Sequence, residues 1–279
     1  MDLKLPQIDY VNKYKKLMSK CHEIQTWFDG HKPGLISVST ITMIIDFNHV
    51  INLENFNSFF TQPENELIEW SIETSKRRKK LEQSDEKTTF YNQTTLRFRD
   101  ITQKSIKIFR NGRLQMTGIT SMYEGIDVAL RVANVLENTE GTLDMSEEIK
   151  LKIHNINIGM INTNFSLKMG INLQALLRLC LQEEIKVTYD PDVYPGLKVK
   201  LMPSGKVFVF GTGKVVITGA KDLEDIIYAY TKLNEIVRDN WETVKFPEQT
   251  REKESKSSIP IIHGYPLTSI QSMTIGNFS

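Results

Sequence analysis

The feature that most constrains this chain is a glycine-turn hairpin that occurs twice. In Phe210-Gly211-Thr212-Gly213-Lys214-Val215-Val216-Ile217-Thr218-Gly219-Ala220-Lys221 the β-forming runs Phe-Val-Phe and Val-Val-Ile flank Gly-Thr-Gly, whose glycines supply the positive φ of a tight turn. A weaker copy lies upstream, Phe109-Arg110-Asn111-Gly112-Arg113-Leu114-Gln115-Met116-Thr117-Gly118. In both, an aromatic residue precedes the turn, a base follows its Gly, and Thr-Gly closes the second strand before a helical run. Two copies of one supersecondary unit imply a duplicated fold.

Two registers support the duplication. Ile51-Asn52-Leu53 matches Ile171-Asn172-Leu173 at a separation of 120 (171 − 51), which lays the apolar strand face Ile41, Met43, Ile45, Phe47 onto Ile161, Thr163, Phe165, Leu167. The Thr-Gly pairs are 101 apart (219 − 118). The first unit therefore holds an insertion of about 19 residues, assigned to the Glu- and Lys-rich stretch 61–87. Each half reads as strand, helix, four antiparallel strands and a long helix. The predicted organisation is an amphipathic helix and linker at 1–34, a first repeat at 35–140, a second at 141–241, and a largely disordered tail at 242–279. The helix over residues 8–28 is either packed on the domain behind it or a partner-binding arm. The run Lys76-Arg77-Arg78-Lys79-Lys80 reads as a solvated segment balanced by nearby acids, or as a phosphate contact or nuclear address.

Composition excludes more than it assigns. Hydrophobic residues make up 40% of the 279, enough for a core, and 35 bases against 34 acids leave a formal charge of +1, so any nucleic-acid footprint must be local. Cys21 and Cys180 have no paired spacing, which argues against disulfides and structural zinc and for a reducing compartment. No apolar run approaches the roughly 20 residues of a membrane span, and the first residues lack a signal-peptide core. His22, His31, His49, His154 and His263 have no spacing that builds a metal site or a nucleophile–base pair. The Gly211–Lys214 turn lacks the Walker spacing and is followed by a strand. With no catalytic constellation the reading is a non-enzyme without cofactor or metal.

Tyr189-Asp190-Pro191-Asp192-Val193-Tyr194-Pro195-Gly196-Leu197, followed by Phe210 to Lys221, resembles the second repeat of the TATA-box-binding protein family. The likeness spans residues 36–240, strongly in the second half. Divergence, insertion and tail are more like the TATA-binding-like proteins of large DNA viruses. The resemblance implies an α+β fold, two pseudo-symmetric repeats forming a ten-stranded antiparallel saddle with helices on its convex side. It also implies a concave face lying in a widened minor groove of AT-rich double-stranded DNA.

What the resemblance implies can be placed on residues. Tyr194 and Phe210 match the intercalating wedges of the second repeat; Phe109 and Tyr91, or its neighbour Phe90, match those of the first. Without the resemblance all four would read as core aromatics. Val216, Thr218 and Thr117 match groove-floor positions, where Gln115, Thr42 and Asn162 replace valines; Thr40 stands at a central asparagine, with Asn164 nearby. Arg97, Arg99, Arg113, Lys200, Lys214 and Lys221 match positions facing phosphates. Asp190 and Asp192 match the stirrup offered to transcription factor IIB. The implied protein recruits that factor and RNA polymerase, acts as a monomer on DNA with a dimer when free, and works in the nucleus or a viral replication compartment. The competing readings are a protein-interaction scaffold with weak DNA binding, and the recognition domain of a nucleic-acid enzyme, for which no segment here is large enough to add a catalytic domain.

Overall fold

A single antiparallel sheet of ten strands carries the fold in the computed structural model, which describes residues 7–61, 70–72, 93–99, 103–143 and 150–246. Its elements belong to one unit, Met1–Lys245; a second, Phe246–Ser279, lies outside the described residues beyond Phe246. In chain order they are α1 (Gln7–Gln25), β1 (Ser37–Asp46), α2 (Leu53–Thr61), β2 (Trp70–Ile72), β3 (Gln93–Arg99), β4 (Gln103–Phe109), β5 (Arg113–Ile119) and α3 (Met122–Asn138). The second half adds β6 (Asn155–Ser166), α4 (Leu173–Gln182), β7 (Val187–Thr188), β8 (Leu197–Val199), β9 (Lys206–Val209), β10 (Lys214–Ala220), α5 (Leu223–Asp239) and α6 (Trp241–Val244). The strands line up as β2-β3-β4-β5-β1-β6-β10-β9-β8-β7, so each repeat contributes its first strand to the centre and its second to the rim.

Strand alternation decides which face is buried. Ile41, Met43 and Ile45 of β1, Ile106 and Ile108 of β4, Phe165 of β6, Val207 and Val209 of β9, and Val215 and Ile217 of β10 all lie in the core. Against them pack Val128, Val132 and Leu136 of α3 and Ile226, Tyr230, Leu233 and Val237 of α5. Both long helices start on side-chain caps, Ser121 accepting from the Glu124 amide and Asp222 from the Glu224 amide.

The duplication is visible in backbone bonds. Phe47 donates to the Gly112 carbonyl and Leu167 to that of Gly213; Ile51 donates to Arg110 and Ile171 to Gly211. The donors are 120 apart (167 − 47) and the acceptors 101 apart (213 − 112), the two registers read from the sequence. Gly112 and Gly213 both sit at φ 79°, and a Cβ there would strike the carbonyl oxygens of His49 and Met169. Asn52 and Asn172 cap α2 and α4 through equivalent side-chain oxygens.

Several elements depart from the pattern read in the sequence. β2 lies within the stretch assigned to the insertion, paired antiparallel with β3 through Trp70 and Phe98. β6 begins at Asn155, six residues before the alternation at Ile161 becomes legible, because bulges against β1 interrupt the period of two. β8 ends at Val199, short of Met202. The polar segment from Asn138 is partly packed: Thr142 is buried and its carbonyl accepts from Asn52. At the other end the fold continues beyond Trp241, since Val244 is buried and Lys245 bridges to Ile171.

The N-terminal helix is packed on the domain. Leu17, Cys21 and Ile24 are buried, and Lys13 and Lys16 pair with Asp222 and Glu224 at the start of α5 at 2.7 and 2.9 Å. Tyr230 of α5 donates its hydroxyl to the Gly34 carbonyl. Burial pushes the Tyr230 phenol well above its ordinary value. Among the described residues no helix is long and apolar enough to cross a membrane.

Gly213→Ala should destabilise by about 1–3 kcal/mol because positive φ and a backbone contact are both violated. Gly211→Ala, whose Cβ would meet nothing nearer than 3.9 Å, should be nearly silent. Urea midpoints that move equally for the two would contradict the clamp.

A second expectation concerns acid. Lys104, buried on the helix side of β4, meets Glu124 at 2.9 Å. Burial raises the Glu124 carboxyl, but hydrogen bonds from Lys104 and from the Thr120 amide and hydroxyl outweigh it and leave the group below its usual 4.5. A folded pKa lower than the unfolded one gives stability that is complete above pH about 4.5 and lost as pH falls through the folded value. Glu124→Gln should flatten the acid limb of a stability-versus-pH curve below that point while lowering stability at neutral pH.

Candidate nucleic-acid interface

Helices cover one face of the sheet, so strand residues of the other parity are left on an open face. Thr42, Ile44 and Asp46 of β1, Ser105, Lys107 and Phe109 of β4, Gln115 and Thr117 of β5, and Asn162 and Asn164 of β6 are half-buried or exposed there. Phe208 of β9 and Val216 and Thr218 of β10 complete it. Registers arrange them in cross-strand rows, Thr95–Lys107–Gln115–Ile44 in the first repeat and Lys198–Phe208–Val216–Asn164 in the second.

One end of this face is aromatic. The Asp190 carbonyl accepts from the Val193 and Tyr194 amides and its carboxylate from the Asp192 amide, a side-chain-braced turn that presents Tyr194 at 45% exposure. The Tyr194 ring packs edge-on against Phe208 at 5.4 Å and Phe210 at 5.9 Å. Gly196 makes room for them, since a Cβ there would stand 2.8 Å from the Tyr194 ring and 3.0 Å from the Phe210 ring. A ring braced on two others has little rotamer freedom left to lose on contact with a ligand.

The middle of the face is polar and internally bonded. Asn162 donates its amide to the Thr40 hydroxyl at 3.0 Å, and its carbonyl accepts from the Thr218 hydroxyl at 2.7 Å and from the Gly219 amide at 3.2 Å. The backbone N–H can only donate, which fixes the orientation of the amide. The Asn162 carbonyl is therefore consumed inside the network, while the Thr40 hydroxyl proton and one Asn162 N–H remain to donate outward and the two threonine hydroxyls keep lone pairs. Asn164 donates similarly to Ser39 at 2.6 Å.

The flanks carry cations. Among the described residues, Lys107, Lys198, Lys206 and Lys214 have no carboxylate within 4.0 Å, and Arg113 stands 3.8 Å from Asp46. Arg97 lies on the open side of β3, opposite Ser105. An apolar and aromatic surface with outward donors and flanking lysines is suited to a polyanion that presents acceptors between its charges.

The family described as Transcription factor TFIID (or TATA-binding protein, TBP) matches residues 150–240. A TATA-box-binding protein of Methanococcus aeolicus is 34% identical over 136 residues, covering 48% of this chain and 68% of that protein. This chain belongs to the TATA-box-binding protein family. A TATA-box-binding protein-like chain of Acanthamoeba polyphaga mimivirus is 25% identical over 248 residues, 75% of this chain and 67% of its own. The solved Methanococcus jannaschii TATA-binding protein superposes with a TM-score of 0.52 at 22% identity, covering 73% of this chain and 98% of its own, which shows the shared α+β saddle fold. Proteins of the family are non-enzymatic DNA-binding transcription factors, and the chain has a role in transcription.

Against that family pattern, the structure brings together Tyr194 and Phe210 at one end and Thr40, Asn162 and Thr218 at the centre. Phe109 stands at the far end of β4, opposite Gln93. Tyr91 and Phe90 lie outside the described residues, as does the Arg99 side chain. Lys214 follows its turn on the rim. Lys200 instead lines a cleft with Tyr228 and Lys232 on the helix side, and Lys221 shares a groove with Lys13 and Asp222 past the end of β10. Asp190 and Asp192 are exposed on their loop. Sequence reasoning did not single out Phe208, Lys107, Lys198 or Lys206. The period of two from Phe210 back to Phe208 was the available signal, obscured because both aromatics read equally well as plain β-formers.

Gly196→Ala should force the Tyr194 and Phe210 rings apart at modest cost to the fold. Near-ultraviolet circular dichroism of the tyrosine should change while the far-ultraviolet spectrum stays the same; an unchanged aromatic signal would contradict the packing.

Proposed function

We propose that this protein binds AT-rich promoter DNA through the minor groove with the open face, bends it, and recruits other initiation factors. The observation that carries the reading is the braced aromatic group Tyr194, Phe208 and Phe210 beside a floor that can still donate from the Thr40 hydroxyl and the Asn162 amide. A·T pairs present only acceptors in the minor groove, which these donors can meet, whereas G·C adds a donor amine. Tyr194, Phe210 and Phe109, with Tyr91, act as wedges that unstack base steps, the mode of which the family is itself the type case. Thr40, Thr42, Gln115, Thr117, Asn162, Asn164, Val216 and Thr218 form the floor. Arg97, Arg99, Arg113 and Lys214, together with Lys107, Lys198 and Lys206, take phosphates. Lys200 and Lys221 contribute at longer range.

The exposed Asp190 and Asp192 offer a basic partner, a transcription factor IIB-like protein, an acidic loop that also holds a wedge. The likeness to a mimivirus protein supports work in the nucleus or the viral replication compartment of an infected cell. A scaffold with weak DNA affinity is the second reading, favoured by the formal charge of +1 and by the internal bonding of Asn162.

A band-shift at fixed salt with AT-rich and GC-rich duplexes tests the proposal. Retention of the AT-rich duplex, weakened about tenfold by Tyr194→Ala or Phe210→Ala with a smaller bend, is the expected result. Equal, salt-limited affinity for both duplexes establishes the scaffold instead.

A further inference from the structure

The two repeats close one place on the helix side differently. In the first, Lys104 reaches Glu124 of α3 at 2.9 Å, its ammonium stands 5.8 Å from the Phe98 ring centroid, and the Arg131 guanidinium stands 5.5 Å from the same ring. The repeat register of 101 puts Gly205 at the Lys104 position (205 − 104), Asp225 at Glu124 (225 − 124) and Lys232 at Arg131 (232 − 131). Gly205 supplies no side chain there, and the Met202 methyl lies against it instead. A cleft of about 720 Å³ remains, lined by Ile185, Leu201 and Met202 and bordered by Tyr228, which is 59% exposed.

Charge decides what such a cleft takes. Its Asp225 accepts from the Ser204 hydroxyl at 2.7 Å, Lys232 pairs with Glu183 at 3.2 Å, and Glu184 adds an acid to the rim. Lys186 and Lys200, also on the rim, have no carboxylate within 4.0 Å among the described residues. They stand opposite each other, one step past the Val187–Val199 pair, where the Lys200 amide donates to the Lys186 carbonyl at 2.9 Å. Like charges at opposed strand positions repel, and a carboxylate between them replaces that repulsion with two attractions. We infer that this cleft docks an acidic peptide segment of a partner protein, its carboxylates between Lys186 and Lys200 and an aromatic or long aliphatic side chain over Ile185, Leu201 and Met202. A nucleic-acid backbone would meet the lysines but leave the apolar floor uncovered, whereas a peptide of this kind covers both, and Met202 can adapt to the shape of its anchor. The site lies behind the sheet and is independent of what the open face binds.

Fluorescence anisotropy with the full chain tests the site, using short labelled peptides of glutamate and aspartate in which one Phe or Leu is stepped along the sequence. The tightest of them should bind about tenfold more weakly after Lys186→Glu with Lys200→Glu. Tyr228→Ala should weaken it by a similar factor, and all three positions are exposed, so the fold should be kept. The same peptide with glutamine and asparagine in place of its acids should also bind about tenfold more weakly. Lys107→Glu with Lys214→Glu, on the open face, should leave peptide binding unchanged. Binding by none of the acidic peptides, equal affinity for the acidic and amide forms, or a loss confined to the open-face variant overturns the docking site. A loss of duplex retention in the Lys186→Glu, Lys200→Glu variant as large as in the open-face variant also overturns it, since these lysines would then be phosphate contacts. Retention of AT-rich over GC-rich duplex is read on the unaltered chain, so failure of the minor-groove reading shows separately.

Discussion

Two backbone clamps set everything else in this structure. At each, a glycine turn lies so close to the chain leaving the first strand of its own repeat that no Cβ fits, Gly112 against His49 and Gly213 against Met169. Amides on both sides of that contact, Phe47 and Ile51 or Leu167 and Ile171, donate into the turn. The hairpin is thereby tied to a strand separated from it by a helix and two further strands. That tie fixes the register of β1 against β5 and of β6 against β10. A slip of one residue would exchange the buried and open faces of the sheet, sending Met43, Leu114 and Ile217 to solvent and Gln115 and Thr218 into the core.

Register in turn makes the central strands a polar seam on one side only. β1 and β6 join the repeats, and their helix-side residues Ile41, Met43, Ile161 and Phe165 are core. On the other side Thr40, Asn162 and Thr218 share hydrogen bonds across three strands and both repeats. That network stiffens the place where a bending ligand would load the sheet most. It also explains how a floor lacking the expected valines stays ordered: buried polarity is tolerable when its acceptors are occupied.

The pattern legible in the sequence was the one imposed by the clamps. Glycine, the base after it and the paired registers of 120 and 101 are consequences of local backbone geometry, and local geometry leaves its mark on single residues. What the sequence hid depends on distant partners. β2 pairs through a few residues of a charged stretch, and its partner β3 follows a long interval. Lys200 resembles a rim base by its position, yet β8 ends one residue earlier and leaves it beside α5. Glu242 to Lys245 looks like the start of a polar tail, but Val244 is buried and Lys245 bridges to Ile171 of the second repeat. Phe208 was hidden for the opposite reason, since a strand aromatic next to Val207 and Val209 has two faces to choose from, and only the pairing with Val216 shows which.

The near-zero formal charge is misleading for the same reason. Five acids on the helix side are paired with bases: Asp222 and Glu224 with Lys13 and Lys16, Glu124 with Lys104, Asp127 with Arg131, and Glu183 with Lys232. On the open side four lysines lack such partners among the described residues, and Asp46, beside Arg113, is the acid there. Acids paired with bases behind the sheet contribute little net field, and exposed charges that interact through water over more than about 8 Å are screened at physiological salt. A polyanion lying on the open face therefore meets the lysines and is shielded from the acids behind the sheet. Neutrality of the chain as a whole limits long-range attraction and slows encounter, but it leaves the contact itself basic.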